Sequence, residues 1–161
     1  MTLIAASRFP PIRGCLLLAL SCVAGWALST ALALRDPLKL MLEWELLAVF
    51  MRPDTHNWYR TVLLLNGLDV AIGVFIVGGA GWFLLLAQRR SARFSRQIQA
   101  WLLAILVMRA VAYLMGDYLS DAIGVAIAIP FGGFGEALLA ASLGIPYFRY
   151  ARRVRDTFIA R

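Results

Sequence analysis

The chain has 161 residues, 61% of them hydrophobic, and a formal net charge of +7. A soluble domain averages about 45–50% apolar residues, so the excess here predicts surface that faces lipid rather than a larger core. Basic residues in such a protein indicate first which segments stay on the cytoplasmic side. No face combining basic and aromatic residues lies outside the apolar runs, which argues against nucleic-acid binding. We therefore expect an all-α fold: one integral membrane domain over residues 1–161, built as a four-helix bundle.

The first apolar run covers residues 14–34 and would measure about 31 Å as a helix, enough to cross a bilayer. Cys15 and Cys22 lie on one face of this helix about 10 Å apart, too far for a disulfide bond. We interpret both as small packing residues. The apolar sequence continues past Cys22 to Leu34, and that length favours a retained span over a cleaved signal peptide.

A shorter segment follows over residues 37–51. Asp36 and Pro37 are typical of a helix start, and Arg52 should end the segment because the residue before a proline avoids helical backbone. The charged residues inside it are Lys39, Glu43 and Glu45. Since the segment is too short and too charged to span, we predict an amphipathic helix in the outer interface, with a re-entrant hairpin as the alternative. The single His56 in the next turn does not indicate a metal site.

The second and third predicted spans cover residues 61–87 and 98–119. The second span contains Asp69, and Gly73 and Ala80 fall on the same helix face, where small residues allow another helix to approach closely. The third span contains Arg109. The connection from the third span to the fourth, which begins at residue 122, is short, so these two spans should be neighbours.

The fourth predicted span, residues 122–148, carries a carboxylate among residues that loosen helices. These residues are Pro130, Gly132, Gly133 and Gly135, and Glu136 follows them directly. Such residues permit a close-packed helix with a kink after Pro130, or an unwound segment that lines a cavity. The sequence leaves both possibilities open. Near the other end of the span, Pro146 should end or bend the helix.

Three ionisable residues therefore lie at membrane depth: Asp69, Arg109 and Glu136. Counted from the outer ends of their spans, they lie about 10, 15 and 20 Å deep, differences that an arginine side chain can bridge. A charge at this depth is unfavourable unless it is paired, protonated or hydrated. We expect a structural clamp, in which Arg109 is neutralised by one or both acids. The alternatives are a proton or cation site in a hydrated cavity, and contact with a transmembrane helix of a partner.

The distribution of basic residues predicts the orientation. Eleven arginines lie before the first span, between the second and third spans, and after the fourth. The first outer loop holds four basic residues and the second holds none. Because arginine and lysine are retained on the cytoplasmic side, both termini should be cytoplasmic. The basic tail, residues 149–161, should then face anionic lipid.

The C-terminal segment also carries a recurring signature. Its residues are Pro146, Tyr147, Phe148, Arg153, Val154, Thr157 and Phe158. They resemble the closing Pro-Tyr-Phe and Arg-Val-x-x-Thr-Phe pattern of a domain-of-unknown-function family of small four-span bacterial inner-membrane proteins, with Gly144 and Ala151 replacing a tryptophan and a serine. Residues 11–18 resemble the opening of that family. The resemblance implies four helices in a bacterial inner membrane and brings no activity with it.

The sequence contains no nucleophile and base set, no phosphate-binding loop and no cluster of cysteine and histidine, so we expect neither an enzyme nor a cofactor or metal site. We predict a small accessory or scaffold protein that acts through helix–helix and lipid contacts. Its partners would be the bilayer and either another membrane protein or further copies of this chain. The alternative is a homo-oligomeric transporter that couples a small solute to protons or cations through Glu136.

Overall fold

The computed structural model describes residues 15–52, 57–89, 93–124 and 131–150. It gives backbone alone at Cys15, Leu16, Trp44, Leu46, Asn57, Trp58, Ile123, Phe131 and Gly132. Six helices make up these ranges: α1 (Cys15–Ala33), α2 (Arg35–Leu42), α3 (Trp44–Phe50), α4 (Asn57–Gln88), α5 (Phe94–Ile123) and α6 (Phe131–Tyr150). No strand occurs within the described ranges, which confirms the predicted all-α class for that part of the chain.

Within the described residues, three helical stretches are long and apolar enough to cross a membrane, as expected of a multi-pass membrane protein. They are Leu17–Leu42, Tyr59–Gln88 and Phe94–Ala122. Their outward faces carry large apolar side chains such as Leu64, Leu103 and Leu114, each more than half exposed. The predicted fourth span coincides in part with α6, and its residues 125–130 lie outside the described part of the chain.

The first helix continues into the segment where a new helix was predicted. The amide of Leu34 donates to the Thr30 carbonyl and the amide of Leu38 donates to the Leu34 carbonyl, both over 2.9 Å. Asp36 is therefore not an N-cap, because it lies in the first turn of α2, which begins at Arg35. Pro37 has no amide proton to donate to the preceding turn, which accounts for a local interruption rather than a fresh start.

The predicted interfacial helix over residues 37–51 is divided into α2 and α3 by Glu43, whose backbone (φ −78°, ψ 82°) leaves the helical region. The residue types around Glu43 do not explain the break. The chain then returns towards α4: Phe50 stacks on Tyr59 with ring centroids 5.8 Å apart, and Arg60 donates to the Arg52 carbonyl over 2.7 Å. The segment is thus attached to the start of α4.

Helices α4 and α5 form an antiparallel pair around the core. At one end Phe83 packs edge-on against Phe94, with centroids 6.2 Å apart, and fourteen residues earlier in α4 Asp69 meets Arg109. Between these two contacts lie the fully buried side chains of Ile72, Ile76, Ile98 and Ile105. Helix α1 packs on α4, where the Leu34 side chain fills the space left by Gly73.

Helix α6 runs antiparallel along α5. Phe134 stacks on Tyr113 at 5.8 Å between centroids, and Phe148 packs edge-on against Phe94 at 5.8 Å. At the second of these contacts the buried Ser95 hydroxyl donates to the Phe148 carbonyl over 2.6 Å. The helix continues through Pro146 to Tyr150, so this proline does not end it. Of the two outcomes predicted at Pro146, the end is therefore wrong.

Candidate functional site

An ion pair joins the middle of α5 to α4. Arg109 lies fifteen residues after the start of α5, and its Nη1 donates to Oδ1 of Asp69. The Arg109 side chain is 17% exposed and the Asp69 side chain is 43% exposed, so the base is the more enclosed partner. Since arginine does not lose its proton in proteins, the acid is the group that neutralises this site.

The glycine-rich start of α6 lies against this arginine. A Cβ atom on Gly133 would come within 3.3 Å of Cζ and Nη1 of Arg109, a tight contact for a side chain. The absence of a side chain therefore lets α6 approach the guanidinium. Gly132, Gly133 and Gly135 are all helical, so the unwound alternative does not apply to them. Pro130, the remaining residue of the predicted helix break, lies outside the described residues.

Glu136 is not part of this ion pair. Its Oε2 accepts a hydrogen bond from the indole Nε1 of Trp26, 3.2 Å away, and the residue is exposed. Trp26 lies near the middle of α1, and its ring packs edge-on against Trp101 at 6.1 Å between centroids. Glu136 therefore lies level with the middle of α1, where the Trp26 side chain reaches α6. We call this place the Trp26–Glu136 seam.

Trp101 links the seam to the core. Its indole nitrogen donates to the Phe75 carbonyl over 3.3 Å, and a Cβ atom on Gly79 would lie 2.0 Å from that nitrogen. Gly79 comes one turn after Phe75, so its missing side chain leaves the carbonyl open to a donor from outside the helix. Sequence reasoning did not find this contact, because the glycines of the second span all look alike in sequence.

The structure describes only the first part of the predicted tail signature. Pro146, Tyr147 and Phe148 lie in the last turns of α6, where Phe148 is buried against α5. The remaining signature residues, Arg153, Val154, Thr157 and Phe158, lie outside the described residues. Within the described ranges, no three side chains of His, Cys, Asp or Glu come together in a way that could hold a metal ion.

In the part of the chain that the structure describes, the protein is thus helical, with three membrane-length helices and an acid–base pair that joins two of them. No family model, curated protein or solved structure matches the chain.

Proposed function

We propose that this protein is a small integral-membrane accessory or scaffold protein that works through helix–helix and lipid contacts. The observation that carries the proposal is the distribution of charge across the helices. Arg109 and Asp69 satisfy each other between α4 and α5, whereas Glu136 remains exposed beside α1. A pair that joins two helices of the bundle fixes their rotation, and an acid on the surface of the bundle is available to a molecule outside it.

Four crossings fit the helix arrangement. Helix α6 has 20 residues, about 30 Å as a helix, which matches the hydrocarbon thickness. Its contacts reach from Tyr113 down to Phe94, so α6 covers most of the height of α5. In this arrangement α2 and α3 lie at the outer interface and both termini are cytoplasmic. The bacterial inner membrane and the four-span family are inferred from the signature residues of the tail.

The cytoplasmic end of the bundle would bind anionic lipid. Arg89, Arg93 and Arg96 lie around the connection between α4 and α5, and Arg149 lies in the last turn of α6 at the same end. All four residues are exposed. Each arginine near a negatively charged membrane surface contributes about 1 kcal/mol of binding free energy. Together with the basic tail, they would hold the protein at a fixed depth.

A transporter is the second candidate, and the exposure of Glu136 is the observation that favours it. A carboxylate level with the middle of a membrane helix is the kind of group on which proton-coupled carriers rely. Four helices supply at most one carrier repeat, so such a transporter would be a homo-oligomer.

Purification of the full chain in a mild detergent, followed by reconstitution into vesicles, separates the two candidates. An accessory protein should co-purify with another membrane protein in fixed stoichiometry, and its own vesicles should be no more permeable to protons than empty ones. Proton movement by the wild-type chain that Glu136→Gln abolishes, with the melting temperature unchanged, would replace the scaffold with the carrier. A matched control is Glu45→Gln, which neutralises an exposed acid outside the spans.

A further inference from the structure

The Trp26–Glu136 seam holds an acid that no described basic residue contacts. The one polar contact of the Glu136 carboxylate, within the described residues, is the neutral indole N–H of Trp26. In a low-dielectric environment a single neutral donor does not balance a full negative charge, so a carboxylate here must be protonated, hydrated or paired with a cation. Among the residues that the structure describes, no spare cation lies at this height, because Arg109 is paired with Asp69, and the predicted spans contain no other lysine or arginine.

The face of α1 beside this acid is also open. Cys22, Gly25 and Ser29 share that face with Trp26 at helical spacing, and all three are exposed. A Cβ atom on Gly25 would meet nothing within 4 Å. In an apolar 18-residue section of the stretch that contains α1, only 6% is buried, compared with 33% in the section from α4 and 22% in the section from α5. Small residues in a row allow the backbone of another membrane helix to approach closely.

We propose that the Trp26–Glu136 seam is the docking site for a transmembrane helix of a different protein, and that this helix carries an arginine or lysine at half height. The inference rests on the proposed scaffold function and names the chemistry of its partner. Charge argues against a second copy as the occupant, because a second copy would add another Glu136 without a cation and an arginine that already has its acid. The partner's cation would contact Glu136 while its backbone packs along Cys22, Gly25 and Ser29.

The test uses the full chain in lipid vesicles and synthetic transmembrane peptides. Each peptide is a leucine–alanine helix with a dansyl group and no tryptophan, and carries arginine, leucine or glutamate at its central position. Energy transfer from the tryptophans of the protein reports binding. We expect the arginine peptide to bind about tenfold more tightly than the leucine peptide, the effect of one strong polar contact in a membrane. The glutamate peptide should not bind better than leucine.

Variants of the chain test whether the preference for the arginine peptide depends on the Trp26–Glu136 seam. Glu136→Gln should remove the preference for arginine, Glu136→Asp should retain it, and Glu45→Gln, outside the spans, should leave it unchanged. Equal binding of the arginine and leucine peptides by the wild type would overturn the inference. So would a preference that survives Glu136→Gln, or energy transfer between two labelled copies of the chain that depends on Glu136. If Glu136→Gln does not fold, the test rests on the affinities of the three peptides for the wild type and for Glu136→Asp.

The docking proposal and the scaffold proposal can fail independently of each other. A native partner that co-purifies with the chain, together with no preference for the arginine peptide, would retain the scaffold function and reject the seam as its charged docking site. Proton movement without a co-purifying partner would reject the scaffold function itself.

Discussion

Arg109 and Asp69 are unequal partners, because only the acid can give up its charge. A carboxylate left alone in a low-dielectric environment takes up a proton, whereas a guanidinium remains charged. The arginine is also the more enclosed of the two, at 17% side-chain exposure against 43% for the aspartate. The pair is therefore more sensitive to loss of the acid than to loss of the base.

We expect Asp69→Ala to lower the melting temperature and the folded yield more than Arg109→Ala. Removing one partner of a buried pair costs about 3–5 kcal/mol, and the half-open position of the acid places the loss here near the lower limit. The double change of both residues to alanine should recover part of the loss. Size-exclusion profiles and thermal melts in detergent measure these effects.

The control for this cycle is the double change Arg109→Ala with Glu136→Ala. Because Glu136 contacts Trp26 and not the guanidinium, its removal should give no recovery. Recovery in this control, or its absence in the Asp69 double mutant, would contradict the clamp.

The packing of α5 on α4 depends on one glycine among several. The indole of Trp101 occupies the position that a side chain at Gly79 would take, with three of its ring atoms between 2.0 and 2.8 Å from the added Cβ. Gly78, the preceding residue, has nothing within 4 Å of its added Cβ. The two adjacent glycines therefore have different roles: Gly79 leaves room for the Trp101 indole, and Gly78 faces outward.

This difference gives a matched pair of variants. We expect Gly79→Ala to displace Trp101 and to destabilise the protein by about 1–3 kcal/mol or more, the usual effect of overpacking. Gly78→Ala should be neutral or slightly stabilising, since alanine favours helix over glycine by about 1 kcal/mol. Thermal melts and the tryptophan emission spectrum would show both effects. Equal stability of the two variants would contradict the contact with Trp101.

The helices could be predicted from the sequence because they follow from long apolar runs, and α4 and α5 extend only a few residues beyond the predicted spans. The break at Glu43 could not be predicted, because its neighbours are not residues that interrupt helices. The continuation of the helix past Leu34 could not be predicted either. Asp36 and Pro37 favour a helix start locally, whereas the packing of Leu34 on Gly73 favours continuity.

The candidate site could be predicted only in part. The predicted depths placed Asp69 within reach of Arg109, and they placed Glu136 within reach as well. The choice between the two acids depends on the rotation of α6, which places Gly133 at the guanidinium and Glu136 against Trp26. No single-sequence pattern links Trp26 to an acid 110 residues later, so the seam was not predicted.

The number of crossings decides on which side of the membrane each connection between helices lies. We expect four crossings, so that Gln88 and Arg149 face the cytoplasm while Met51 and Asp121 face the opposite side. The test introduces single cysteines at these exposed positions in a background with Cys15→Ala and Cys22→Ala. A membrane-impermeant maleimide added to intact spheroplasts should label the cysteines at 51 and 121, and those at 88 and 149 only after permeabilisation.

Cysteine at position 88 serves as the internal control for position 149, because both lie at the arginine-rich end. Labelling at 149 but not at 88 in intact spheroplasts would show that α6 does not cross, and that the chain has three crossings.

The order of Asp69 and Arg109 along the chain has a consequence for how the protein enters the bilayer. Synthesis proceeds from the N-terminus, so the helix that carries the acid is made before the helix that carries the base. An arginine at the centre of an isolated inserting helix is unfavourable by about 2.5–3.5 kcal/mol. Here the counter-charge is already in place when α5 emerges from the ribosome. The two helices can therefore leave the translocon as a hairpin, and the guanidinium need never face lipid alone.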